Sequence, residues 1–401
     1  MREEDRCTRD LEQQRPRPWV GRPAWQGSAL HENPENVDRL PSTLQGMASM
    51  ESRWRNRNDS WRLLRGARSR PVGMAGREPK RGRTFQAALE QSEQFLRSAE
   101  GAGPETRPLH IFYGLSQAGR AIAAASSRLN DFEYRPVGHG MRTQDTRDQT
   151  DLWRVAIEVT KSGTPQVVAK ALDSVIWPAK TQLTLAELWP LLPDTAPERG
   201  PHELSWFTAL RYEHLASGPR ASRLDIESAW LSGVPWSIYE KPGSPDTVEQ
   251  WLTSYPKLAG WLEKPRLVAH GGNVRMLLTW PARVEHAGWR EFQRLNPQLE
   301  GLPDIRAPWV RRATQYGGEW WALPALRGMS EPVHPLLAWW AILLALSSLA
   351  RYEPETWAHL IDVDRPASPA VAIEHLMEEA LSAIPALTAA ALAHVSVFAS
   401  R

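Results

Sequence analysis

"PLHIFYGLSQAGRAIAAASSRL", from Pro108 to Leu129, is the stretch that decides the fold. Ile111, Leu115, Ala118, Ile122 and Ala125 recur at helical spacing and make one continuous apolar stripe. Pro108 suits a first helical turn, where its missing amide hydrogen has no partner to lose. Gly114 and Ala118 lie one turn apart, which lets another helix approach closely. The preceding "TFQAALEQSEQFLRSAE", Thr84 to Glu100, sets Phe85, Ala88, Leu89 and Leu96 on one face and stops in "GAGPETRP". Together they predict an antiparallel helix pair.

Downstream the period changes. Trp153, Val155, Ile157 and Val159 alternate with polar residues, "KSGT" supplies a turn, and "PQVVAKAL" follows as a partner strand, so the pattern predicts a small β-hairpin. In "TLAELWPLLP", Thr184 and Glu187 stand at capping-box spacing before a short helix closed by proline. Prolines then interrupt short apolar runs, and alternation in "NVRMLLTW" and "WSIYE" predicts several short strands. The end is helical again: "LLAWWAILLALSSLARY", "PETWAHLI" and "SPAVAIEHLMEEALSAIPALTAAALAHV". In the last of these, Val371, Ile373, Leu376 and Leu381 are the inward residues, with a kink or break at Pro385. The fold class expected is α+β, a predominantly helical core with a small hairpin or sheet insertion.

A chain of 401 residues can bury a large core, and 48 basic against 46 acidic residues leave no global field that announces a nucleic-acid partner. The single cysteine, Cys7, excludes a disulfide framework and a cysteine-based zinc site and fits a reducing cytoplasm. The N-terminus is charged from its second residue, without the apolar core of a secretory signal. Leu336 to Ala350 is about 15 residues long against the roughly 20 needed to cross a bilayer, so it reads as a buried helix with no membrane contact. Twenty tryptophans without a fixed period read as packing residues, not a repeat array.

Residues 1–83 read as a flexible arm. From Arg53 to Arg83 there are eleven basic residues against two acids, Asp59 and Glu78. Such an arm is either a solvated tail or a nucleic-acid contact. Met47 and Met50 offer later translation starts. Residues 84–401 form the folded domain: a helix pair plus hairpin over 84–193, a variable short-strand region over 194–333 and C-terminal helices over 334–401.

The motifs are sparse. "GLSQAG", Gly114 to Gly119, has Ala118 where a nucleophile elbow needs glycine, and no strand precedes it. "GHGMRT" lacks the third glycine of a dinucleotide loop, yet His139 and Arg142 among glycines make a candidate anion cluster, weighed against a plain glycine turn. Nothing proposes a metal site, a cofactor or a phosphate-binding loop of the common ATPase type. In "RYEPETWAHL", Arg351 to Leu360, a cation closes the apolar helix, Pro354 turns the chain and Trp357 can fold back. The competing reading is a pocket in which Arg351, Glu355 and His359 do chemistry.

"RPLHIFYGLSQAGRAI", "VGHGM", "LWPLLP" and "LSSLARYEPETW", in that order, resemble the YaaC-like protein family, a bacterial family without an assigned reaction. The likeness runs from Thr84 to about Val395 and is faint in the middle. Phe112, Tyr113, Gly114, His139, Gly140, Arg351, Tyr352, Pro354 and Trp357 match its pattern; Val137-Gly138 departs from the small residue expected before His139. "FYGLSQAGRAI" is also similar to the tyrosine-rich second helix of HEPN domains, many of which are ribonucleases. Their motif places four to six residues between an arginine and a histidine. Arg351 and His359 have seven between them, broken by Pro354, and Arg327 and His334, with six, fall in a loop.

The resemblances therefore imply a fold more than a chemistry. The reading that asks for no missing motif is a cytoplasmic, non-catalytic binding or scaffold protein. Nucleotide or nucleic acid is its leading ligand class, reached through the arm or through Tyr113, His139, Arg142 and Arg351, and a protein partner is the other. The alternatives are a HEPN-related ribonuclease-type effector and a small-molecule enzyme with a His/Arg/Glu pocket.

Overall fold

The computed structural model describes residues 57–144, 146, 149–193, 195, 208–213, 228–240, 245–261, 263–270, 273–280, 312–316, 319–326 and 329–398. Cys7, Met47, Met50, Arg53, Arg55 and Arg327 lie outside these. The core is helical and is built around the predicted pair, α2 (Pro79–Glu100) and α3 (Arg107–Ala125). They meet where expected. A Cβ on Gly114 would come within 2.7 Å of Leu96, and the Ser92 hydroxyl donates to the Gly114 carbonyl at 2.8 Å.

Order starts well before Thr84. α1 (Arg57–Ser69) lies antiparallel on α2, held by ion pairs from Arg57 to Glu100, Arg65 to Glu93 and Arg68 to Glu90. Glu93 is the centre of this clasp, with Arg65 Nε at 2.8 Å and Arg97 Nη2 also at 2.8 Å. Burial pushes its carboxyl up, but the Arg65 hydrogen bond and the charges of Arg65, Arg97 and Arg68 outweigh that and hold its pKa below the usual carboxylate value. Five of the basic residues read as a flexible arm thus have acidic partners, Arg62 on Asp59 and Arg81 on Glu78 and Asp131 being the other two.

The predicted hairpin is corrected. β1 (Met141–Gln144), β2 (Ala156–Val159) and β3 (Gln182–Thr184) form an antiparallel sheet in that order, while Thr164–Ala171 is a helix, α4. Pro165, Val168, Ala169 and Leu172 satisfy a helical period, Pro165 occupies the first turn, and the buried Val168 packs toward Gly119 of α3. The capping box is present: Thr184 and Glu187 exchange bonds ahead of the short α5 (Leu185–Leu188).

The middle region forms one antiparallel sheet in the order β6-β7-β5-β4-β9-β8. Its strands are β4 (Leu210–Glu213), β5 (Ser228–Val234), β6 (Arg266–His270), β7 (Asn273–Thr279), β8 (Thr314–Tyr316) and β9 (Glu319–Ala322). "NVRMLLTW" is β7 as read, with Val274, Met276 and Leu278 inward. "WSIYE" is not a strand. It is α6 (Trp236–Glu240), with Ile238 its one buried residue and the exposed Trp236 and Tyr239 rings in edge contact, before α7 (Pro245–Leu252). This sheet has its own core around Leu231, Met276, Trp251 and Trp280.

The apolar run is α8 (Pro335–Tyr352), in which every residue from Pro335 to Leu349 is buried within the fold. Pro354 opens α9 (Pro354–Leu360), and the buried Trp357 folds back, its indole N–H donating to the Pro104 carbonyl at 3.2 Å. α10 (Ala370–Phe398) continues through Pro385 without a break, since burial of Ile384, Leu387 and Ala391 around it outweighs one lost backbone bond. Ile373, Leu376 and Leu381 face inward, whereas Val371 is 62 % exposed. By length and composition alone, α8 and the Ala370–Ser396 part of α10 could cross a membrane.

Candidate anion-binding site

The outer face of α3, the end of α8 and the "VGHG" loop meet at one place. Arg351, in the last turn of α8, donates from Nη1 to the Tyr113 hydroxyl at 2.7 Å, and its guanidinium lies 4.4 Å over the Tyr352 ring. Its Nε is buried without a hydrogen-bond partner among the described residues. Tyr113 stacks on Phe95 of α2 with centroids 5.6 Å apart, so the hydroxyl that meets Arg351 is held by packing on both helices.

His139 leans on Phe112, centroids 5.8 Å apart, with its other side open to water. Two glycines place it. Gly138 and Gly140 have φ of +87° and +69°, values a side chain resists. The Gly138 carbonyl accepts from Thr164 Oγ1 at 3.2 Å, and the Gly140 carbonyl from Gln166 Nε2 at 2.7 Å, so the start of α4 clamps the loop from both sides of the imidazole. Burial and then the charges of Arg351 and Arg120 hold the His139 pKa below its ordinary value. No carboxylate is among the groups acting on it.

Three of the four expected binding residues, Tyr113, His139 and Arg351, therefore converge. Arg142 does not join them as a free cation. β1–β2 pairing sets it opposite Glu158, and the two form an ion pair at 2.9 Å, with Gln144 donating to the other carboxylate oxygen at 2.6 Å. Glu355 and His359 sit exposed on α9, and among the described residues no hydrogen bond or ion pair links either to Arg351. His334 caps α8 through Nδ1, which accepts from the Leu336 amide at 3.1 Å; burial, then the charges of His394 and Lys257, pushes its pKa down to about 4. It has a structural role.

Arg120 is the residue that sequence reading missed. It lies two turns after Tyr113 on the same face of α3, is exposed, and has no ion pair among the described residues. Its spacing from Tyr113 was the available signal. The result is two guanidiniums and an imidazole without an ion pair among the described residues, an arrangement that favours an oxyanion able to accept from several donors. Among the described residues no group of His, Cys, Asp and Glu could hold a metal ion.

The fold and site define an α+β protein with a helical core that gathers cations on one face of its central helix pair. The family model for the YaaC-like protein matches residues 63–234 and 244–392, most of the chain, and the chain belongs to that family. Its first matched residue falls inside α1, in keeping with a domain that starts before Thr84. No curated protein and no solved structure matches the chain.

The electrostatics predict how binding responds to acid. His139 is neutral at pH 7 because its pKa is lowered, and a bound anion would draw a proton onto it. Should a phosphodiester dinucleotide, whose charge is constant, bind at this cluster, its affinity should rise as pH falls below the ordinary histidine value. His139→Gln should flatten that profile, as titration calorimetry at several pH values would show. For the free protein the sign is opposite: a depressed histidine pKa contributes stability at neutral pH that is lost as pH falls through the folded value.

Proposed function

We propose that this chain is a non-catalytic binding protein of the bacterial cytoplasm whose ligand carries phosphate groups, a nucleotide or a nucleic acid. The observation that supports the reading is the set Arg120, His139 and Arg351, with Arg351 on Tyr113, both arginines acting on His139, and no ion pair to any of the three among the described residues. Arg351 offers its Nη2 to a phosphate while Nη1 stays on Tyr113. Tyr352, 64 % exposed beside it, offers a ring face to a base.

Catalysis has less support. The arginine–histidine pair considered for ribonuclease-type chemistry is not assembled, since Arg351 has neither His359 nor Glu355 as a partner among the described residues. The protein-partner reading has the exposed Trp236 and Tyr239 pair in its favour, far less than the charge cluster offers a phosphate.

Arg351→Ala removes charge-assisted bonds of about 1.5–3 kcal/mol, so affinity for a nucleoside monophosphate should fall roughly ten- to hundredfold. Fluorescence titration over a salt series reads this directly. Equal affinity of the two proteins, with the fold intact by circular dichroism, would refute the reading.

A further inference from the structure

The cation cluster stands at one end of a longer surface. At the other end the first turns of α2 meet the chain as it leaves α3, with Arg81 donating to the Ser126 carbonyl at 3.0 Å and the Leu129 carbonyl at 2.8 Å. The following residues must run back along α3, because His139 lies against Phe112. At about 1.5 Å per residue, the α3 segment from Phe112 to Ala125 is about 20 Å long.

Cations without an ion pair among the described residues mark both ends. Arg77 and Lys80 are exposed, three residues apart at the start of α2, and neither has an ion pair among the described residues. The acids nearest in the chain and fold, Glu78 and Asp131, both pair with Arg81, at 2.9 Å and 3.2 Å. The far end holds Arg351, and Arg120 lies between the two ends, eight residues after Phe112 and five before Ala125 on α3. Between them the returning loop leaves Phe132 91 % exposed and Val137 86 % exposed, with Arg135 over the Tyr134 ring at 5.3 Å. A single exposed ring is ordinary. Exposed Phe132 and Tyr352, on a surface whose two ends carry cations without an ion pair among the described residues, are what a stacking platform for bases needs.

We propose, resting on the reading of the cluster as a phosphate site, that this surface is a track for single-stranded nucleic acid. Arg77 and Lys80 hold the backbone at one end, Arg120 holds it partway along and Arg351 at the other end, and Phe132 and Tyr352 stack bases. A mononucleotide reaches only the Arg351 end. A duplex, whose base faces are covered by their neighbours, gains the charges and not the rings.

The test compares uridine monophosphate, a labelled oligouridylate of about 20 nucleotides and a duplex of the same length, titrated with the full chain over a salt series. The single strand should bind best. Arg77→Glu with Lys80→Glu should shrink the oligonucleotide's advantage over the mononucleotide at least tenfold and lower its salt slope by about 0.7 for each phosphate no longer neutralised. Acidic residues at a helix start are tolerated, so this variant should fold, which circular dichroism checks. Phe132→Ala should weaken the single strand more than the duplex.

If the monophosphate binds through Arg351 but the double variant and Phe132→Ala leave the oligonucleotide unchanged, the track is wrong and the phosphate site stands. If neither ligand depends on Arg351, the phosphate site falls and the track with it.

Discussion

Gly163→Ala dislodges the His139 loop and costs about 2–4 kcal/mol, the combined scale of overpacking and backbone strain. A Cβ at this position would lie 2.2 Å from the Gly140 Cα and 2.3 Å from the Gly140 nitrogen, with the His139 carbonyl carbon at 3.1 Å. These are backbone atoms, so no rotamer change can make room. Gly163 is also the residue before α4, with φ of +153°, and Gly140, at +69°, cannot retreat without giving up the bonds its carbonyl accepts from Gln166 and Thr160. Two glycine backbones in contact are what bring the imidazole to Phe112. The expected result is a lower melting temperature, faster amide exchange across residues 138–164, and loss of the pH-dependent part of anion binding while the helical signal persists. A variant that keeps both the stability and the pH dependence would show that His139 is not held by this contact.

The parts legible in the sequence share one property, a pattern complete within a few turns. The stripe of α3, the Phe85 to Leu96 face of α2, the Thr184 capping box and the turn at Pro354 each needed only local spacing. What was missed depended on distant partners. "PQVVAKAL" satisfies both a strand and a helix, and the nearby Trp340 and Gly119 on which Val168 packs are what favour the helix. Arg57, Arg65 and Arg68 look like a free basic run until Glu90, Glu93 and Glu100 arrive on the facing helix. Arg142 stood next to His139 in sequence, but its environment is set by the register that pairs it with Glu158. Arg120 looked like any solvent-facing arginine. Its role follows from where α8 ends and where the loop returns, neither of which a local window contains.

Trp340 should give a large stability effect and tests how α8 and α3 fit together. Its ring is 1 % exposed and rests on the backbone at Gly119, where a Cβ would come within 2.5 Å of the six-membered ring. Trp340→Ala should cost about 3–5 kcal/mol, the scale for emptying a large aromatic site. The indole nitrogen is buried without a partner among the described residues, so Trp340→Phe sheds a desolvated donor along with some volume and should cost under about 1.5 kcal/mol. Gly119→Ala alone should destabilise, since the new methyl strikes Trp340 and lies 3.0 Å from Val168. The two changes occupy the same space from opposite sides. In the Trp340→Ala background the methyl enters the vacated volume, so the double variant should be at least about 1 kcal/mol more stable than the sum of the single effects allows. Additive losses by denaturant unfolding would mean that the ring does not set the distance between these helices. Because Arg120 follows Gly119 and Arg351 ends α8, a coupled shift should also weaken phosphate binding in each single variant. The double variant should recover binding less than it recovers stability, since filling a cavity restores volume without restoring the alignment of two guanidiniums.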